Sequence, residues 1–290
     1  MSTLALFAGC VAIWGTTWIA ITFQLGSVAP EASVAYRFLL AAALLAAFCR
    51  LRGLSLKFSP PQHAALALLG VFLYSVGYVF VYHAETHVAS GLVAVGYSAS
   101  PLLAMLGMRI VFAEPMTARM ALGSVLGIAG IVLVFWPELG RAAQRGSVAM
   151  GAMLTALAVL TATIGNLVAQ RNFQRKLHGW PTMAWSMGYG GLVAVAVALM
   201  LGRRFTIDWS AGYLLSLAYL SLFGSVLGFA GFLTLLGRIG AARASYIGVM
   251  VPIVALLVSS LFEGFRWHAL TVAGVAISVA GNVLVLRRAG

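Results

Sequence analysis

Ten long apolar runs separated by short connections constrain this chain more than any other feature of it. They fall at roughly 4–24, 32–49, 64–83, 88–108 and 120–136, then 148–170, 181–201, 211–236, 244–262 and 268–286. A helix needs about 20 consecutive apolar residues to cross the hydrocarbon core of a bilayer. Lipid offers backbone amides no partner, so runs of this kind are predicted to satisfy their hydrogen bonds internally as helices. The composition agrees, since 62% of the 290 residues are hydrophobic and 8% are charged, where a soluble domain carries about 25% charged residues. No water-soluble interior hides that much apolar surface. The expected fold class is an all-α membrane protein with ten transmembrane helices, and soluble enzymes are excluded.

The net charge of +12 is not a nucleic-acid footprint, because the Lys and Arg residues sit between apolar runs rather than in one basic patch. Cytoplasmic loops retain Lys and Arg. Placing the N-terminus inside assigns Arg50, Arg52, Lys57, Arg109, Arg119, Arg171, Arg175, Lys176, Arg238, Arg243, Arg287 and Arg288 to the cytoplasm. The other side then has Arg141, Arg145, Arg203, Arg204 and Arg266, and Arg37 lies within a span. The expectation is a multi-pass protein of the bacterial cytoplasmic (inner) membrane with both termini cytoplasmic. The first run has no small-residue cleavage site and reads as a retained helix. Cys10 and Cys49 lie inside apolar runs and read as packing residues.

Residues 88–136 and 240–286 repeat each other: Pro101 pairs with Pro252, Gly123 with Gly274 and Gly130 with Gly281, all 151 apart, and a Glu follows each proline (Glu114, Glu263). Five helices per copy is an odd number, so the second copy enters the membrane upside down. The predicted arrangement is two inverted five-helix repeats, residues 1–137 and 147–288, with a solute site near the midplane where they meet.

Several segments carry a wider likeness: Trp14-Gly15 in span one, "YRFLLAAALL" from Tyr36, "SPLLAMLGMRIVFAEPMT" from Ser100 and "YIGVMVPIVALLVSSLFEGF" from Tyr246. With these motifs in this order the chain resembles the drug/metabolite transporter superfamily, in its ten-helix EamA-like branch, and is most similar to the aromatic amino acid exporters. The resemblance implies alternating access and efflux of metabolites or amino acids. The segment "AWSMGYGG" from Ala184 has no arginine matching Arg37, so any role of Arg37 is asymmetric.

Polar and aromatic residues inside spans tend to face a bundle interior or a cavity. Tyr74, Tyr78 and Tyr82 recur every four residues and share one helical face. Trp14 and Trp18 lie one turn apart, with Thr16 and Thr17 between them; Thr163, Asn166 and Gln170 form a polar stripe on span six. Tyr97, Ser245 and Tyr246 precede Pro101 and Pro252, which interrupt their helical ladders and act either as gating hinges or as static bends. The candidate substrate-binding set is therefore Trp14, Thr17, Trp18, Tyr78, Tyr82, Tyr97, Thr163, Asn166, Ser245 and Tyr246. Interface anchoring or interhelical bonding is the competing use of each. Arg37, about a turn from the outer end, either snorkels to water or captures a substrate carboxylate.

His83, Glu85 and His87 cluster at the outer end of span three, but their spacing fits no metal motif and no fourth ligand lies nearby. Neither a metal nor a cofactor is expected. No acid falls mid-span, and Glu85, Glu114 and Glu263 read as residues of the membrane edges. The expected function is export of neutral or zwitterionic small molecules, best matched by amino acids including aromatic ones. A multidrug or other metabolite carrier is the alternative, and a receptor or lipid-modifying enzyme the reading from another class. The expected partners are a small-molecule substrate and membrane lipid, with no nucleic acid and the oligomeric state left open.

Overall fold

Residues 2–113, 117–142, 147–244 and 246–286 are described by the structure, a computed structural model. Among them every regular element is helical. The first half contains α1 (Thr3–Thr22), α2 (Pro30–Leu51), α3 (Pro60–Val71), α4 (Gly77–Glu85), α5 (Ser90–Tyr97), α6 (Ser100–Phe112) and α7 (Ala118–Ala142). The second contains α8 (Val148–Gln174), α9 (Trp180–Met200), α10 (Ala211–Tyr219), α11 (Gly228–Ala244), α12 (Ile247–Phe262) and α13 (Ala269–Leu286).

The helix starts follow local chemistry. The Ser2 hydroxyl accepts from the Ala5 amide at 3.2 Å, and the Ser59 amide donates to Gln62 Oε1 at 2.8 Å. Pro30 and Pro60 open α2 and α3, where a missing amide hydrogen leaves nothing unsatisfied.

Among the described residues, seven helical stretches are long and apolar enough to cross a membrane: Thr3–Thr22, Pro30–Leu51, Pro60–Glu85, Ala118–Pro137, Val148–Gln174, Trp180–Met200 and Ala211–Phe232. Ile247–Phe262 and Ala269–Val285 are shorter apolar helices. The fourth predicted run is not one helix but α5 and α6 in sequence. Pro101 has no amide to offer the preceding turn. Ahead of it the Ser98 and Ala99 amides bond only three residues back, to Val95 and Gly96, before the ladder resumes with Leu103 on Ala99. Pro252 behaves differently, since it lies inside an uninterrupted α12.

α3 passes into α4, and α10 into α11, through π-helical segments at Phe72–Val76 and Leu220–Leu227. A π turn widens the helix by one residue and frees backbone groups from the ordinary ladder, a feature concentrated at functional sites.

The repeated glycines meet across α7 and α13. A Cβ built on Gly281 would come within 2.5 Å of Gly123 O, and one on Gly130 within 2.5 Å of Gly274 O. Pairing of 123 with 281 and of 130 with 274 makes the helices antiparallel, and the backbones approach as small-residue interfaces in membranes do. Gly15 is likewise closed by Val254, whose Cγ1 would lie 2.5 Å from an added Cβ.

The main apolar cluster gathers Phe38, Leu45, Tyr74, Tyr82, Leu92 and Met187 where α2, α4, α5 and α9 pack. Outside the spans, Asp208 accepts from Ser27 Oγ at 2.6 Å and from the Ser210 amide at 2.8 Å. These bonds favour the ionised form and hold its carboxyl below the usual aspartate value.

Candidate functional site

The second π segment forms one wall of the site. Its Ser221 hydroxyl donates to the Arg37 carbonyl at 3.1 Å, and Ser225 Oγ accepts from Arg37 Nε at 3.3 Å. Gly224, between them, lets the guanidinium pass close to the backbone, its Nη2 lying 3.4 Å from where a Cβ would be.

Arg37 does not snorkel. It is 2% exposed, its guanidinium carbon lies 4.6 Å from the centre of the Tyr78 ring and 5.1 Å from that of Phe38, and its Nη1 is buried with no hydrogen-bond partner. No carboxylate pairs with it among the described residues. A buried charge held by the Ser225 and Tyr82 hydroxyls and two aromatic faces, with no carboxylate, is costly unless a further partner arrives.

Aromatic side chains surround it. The Phe38 ring lies 4.9 Å from Tyr78 and 5.6 Å from Tyr74, and Tyr74 lies 5.5 Å from Phe229. Trp18 packs edge-on to Tyr97 at 5.1 Å, and its indole nitrogen is buried without a partner. Trp14 has a different setting: its indole nitrogen donates to Gly224 O at 3.1 Å, which ties α1 to the second π segment. The Tyr82 hydroxyl donates to Gln24 Oε1 at 2.7 Å and lies within the field of Arg37.

The other predicted residues divide. Thr17 and Thr163 are buried, but each hydroxyl donates within its own helix, to Trp14 O and Val159 O, both at 2.8 Å. Asn166 and Gln170 are exposed, whereas Thr163 is buried. α8 is apolar almost all round, and periodicity alone gave it no inward face. Tyr246 is half-buried at the start of α12, and Ser245 and Glu114 lie outside the described residues. Pro101 follows the break between α5 and α6.

Residues that spacing did not bring forward complete the site: Phe38, Ser221, Ser225 and Glu85. Phe38 adjoins Arg37 in sequence, the one local signal available; the two serines lie more than 180 residues from their partner.

At the end of the molecule where α4 stops, Glu31 and Glu85 are buried and Glu263 is half-buried; Glu85 does end its apolar stretch, but its side chain is packed away from water. Glu31 pairs with His83 Nε2 at 2.8 Å and faces Arg203 Nε at 3.7 Å. Glu263 accepts from the Ser90 amide at 3.1 Å, from Ser90 Oγ at 2.6 Å and from Ser259 Oγ, closing the N-terminus of α5. Glu85 is 7% exposed, and neither oxygen has a partner. Among the described residues no group of His, Cys, Asp and Glu is arranged to hold a metal.

Comparison with known proteins places this geometry. The EamA-like transporter family matches residues 1–136 and 149–287. The chain belongs to that family. Among its EamA-like relatives, an uncharacterized inner membrane transporter of Escherichia coli K12, YedA, is 30% identical over 281 residues, covering 94% of this chain and 88% of YedA. Protein PecM of Dickeya dadantii is 28% identical over 293 residues, covering 98% and 92%. One solved crystal structure superposes with a TM-score of 0.69 at 17% identity, covering 98% of this chain and 96% of its own, a likeness of fold alone. The chain is thus a multi-pass membrane transporter of the EamA family.

Proposed function

We propose that this EamA-like protein exports neutral or zwitterionic small metabolites, amino acids and aromatic ones among them, across a bacterial inner membrane by alternating access. The observation that carries the reading is Arg37, buried and without a counter-ion beside Tyr78 and Phe38. A carboxylate supplies the missing charge and fits the planar guanidinium. Aromatic rings with polar tips suit a flat apolar side chain. A multidrug substrate without a carboxylate leaves Arg37 unpaired and is the weaker match.

The architecture proposed for it is ten spans in two inverted halves, near 1–137 and 147–288, with both termini cytoplasmic. Two features support the inversion. A shift of 151 carries the π segment at 72–76 onto 223–227, inside the second π segment. The same shift turns the contact between 123 and 281 into that between 274 and 130, so the α7/α13 interface maps onto itself, as a two-fold axis through it requires. A C-terminal reporter active only in the cytoplasm is expected to give signal. Activity of a periplasm-specific reporter at that end contradicts the topology.

The site is tested by uptake of labelled L-phenylalanine into liposomes carrying the purified protein. Tyr78→Ala and Trp18→Ala are expected to lower flux about 10-fold or more, the scale of a lost aromatic and cation–π contact in a desolvated site. Trp209→Ala, at a residue 77% exposed, is expected to leave it unchanged. Equal flux in all three at matched incorporation removes Tyr78 and Trp18 from the site.

A further inference from the structure

Three acids gather at the start of α2 and the ends of α4 and α12, Glu31 and Glu85 buried and Glu263 half-buried, and two of them have partners. Glu31 is held by His83 and faced by Arg203, while Glu263 is held by Ser90 and Ser259. Glu85 is the exception. It is more than nine-tenths buried, and no protein donor reaches either oxygen.

Its placement relates it to Arg37. Tyr78, Tyr82 and Glu85 occupy positions i, i+4 and i+7 along one helical stretch and so share a face. The Arg37 guanidinium lies over the first of these, and the second lies within its field. Helical side chains lean toward their own N-terminus. Glu85 ends α4 and leans back along it toward Tyr82, while Arg37, on a helix that starts at this end, leans outward to meet it.

Glu85 lies within the fields of Arg37 and Glu263, and Tyr97 lies within that of Glu85. No ion pair joins Arg37 to Glu85, because Arg37 is turned onto Ser225 and Tyr78. The remaining titratable neighbours are committed elsewhere. Tyr82 donates to Gln24, Tyr213 bonds Ser33 Oγ at 2.9 Å, the Tyr97 hydroxyl points to Ala158 O at 3.4 Å, and His83 is on Glu31. The result is a buried guanidinium nitrogen and a buried carboxyl group, each without a hydrogen-bond partner and each within the other's field.

We propose that Glu85 is the second half of the head-group site: its carboxylate receives the ammonium group of a zwitterionic solute whose carboxylate lies on Arg37. This rests on the reading of the chain as an exporter of amino-acid-like solutes and names the residue that selects them over simple carboxylates. A buried guanidinium and a buried carboxyl group, each costly without a partner, are both satisfied by one zwitterion. A carboxylate lacking the ammonium group leaves Glu85 buried and without a partner, so the site discriminates against such a solute as strongly as a buried polar group left unpaired allows.

The test compares L-phenylalanine with 3-phenylpropionate, which has the ring and carboxylate but no ammonium group, as competitors of labelled phenylalanine flux in liposomes. The wild type is expected to prefer phenylalanine by about 30-fold or more, the lower range for losing one member of a buried charge pair. In Glu85→Gln the preference is expected to collapse to within about 3-fold, through weaker competition by phenylalanine rather than by phenylpropionate. Flux with the full preference retained in Glu85→Gln overturns the inference and leaves the exporter reading standing. Absence of phenylalanine flux in the wild type sinks that reading and the inference with it. Should the glutamine variant fail to fold, the wild-type comparison decides: phenylpropionate competing as well as phenylalanine overturns the proposal.

Discussion

Arg37→Leu is expected to abolish measurable flux of carboxylate-bearing solutes while leaving the protein folded. The two halves of this expectation have separate causes. Loss of the cation from a desolvated pair costs on the order of 2–5 kcal/mol of binding, which is about 30-fold or more in affinity. The fold does not suffer in proportion, because Arg37 is 2% exposed, has no carboxylate partner and leaves Nη1 unsatisfied. Replacing an uncompensated buried charge with an apolar side chain removes a desolvation cost. The unfolding temperature in detergent is therefore expected to be unchanged or higher. Arg37→Lys keeps the charge but loses the flat guanidinium that lies over Tyr78 and reaches Ser225, and is expected to recover only part of the flux. Full flux in Arg37→Leu means that the solute carboxylate is held elsewhere; loss of folded protein means that the arginine is structural.

Gly130→Val is expected to have the largest effect on stability of the substitutions discussed. A Cβ at this position meets backbone, with Gly274 O at 2.5 Å, so no side-chain rotation relieves the clash. Overpacking a close helix pair typically costs about 1–3 kcal/mol, and more where backbones must separate. Gly274→Val faces the same obstacle, with Gly130 O at 2.6 Å, and is expected to fall in the same range. Gly248→Ala is the control, because nothing lies within 4 Å of its Cβ. Thermal unfolding and monodispersity in detergent measure all three. Equal stability of the glycine variants and the control means that α7 and α13 do not meet as described.

The glycines illustrate what a sequence of this kind makes legible. Gly123, Gly130, Gly274 and Gly281 stand out by their constant separation, and small residues at helical spacing point to close helix packing before any partner is known. Tyr78 was legible for a similar reason, since spacing by four fixes a shared face with Tyr74 and Tyr82. What hydropathy could not supply was which helix each face meets. Ser221 and Ser225 bond Arg37 across more than 180 residues, and the π turn that presents them leaves no periodic mark. Asn166 is exposed where Thr163, three residues earlier, is buried, because polarity within an apolar helix does not by itself fix which surroundings a residue meets. Glu85 looked like an edge residue because the apolar run ends near it; the stretch does end there, yet the side chain is buried, which hydropathy does not register. Proline reads the same way at 101 and 252, yet only the first follows a break, since its lack of an amide does not dictate whether the neighbouring turn tightens or bends.

Counterflow most directly tests whether this protein is a carrier with an amino-acid site. Liposomes containing the purified protein are loaded with unlabelled L-phenylalanine and diluted into a trace of labelled phenylalanine, with protein-free liposomes in parallel. Alternating access through one binding site predicts that label rises transiently above its equilibrium level and then decays, with the overshoot suppressed in Arg37→Leu. A monotonic leak that matches protein-free liposomes, from protein that remains folded and monodisperse, contradicts it.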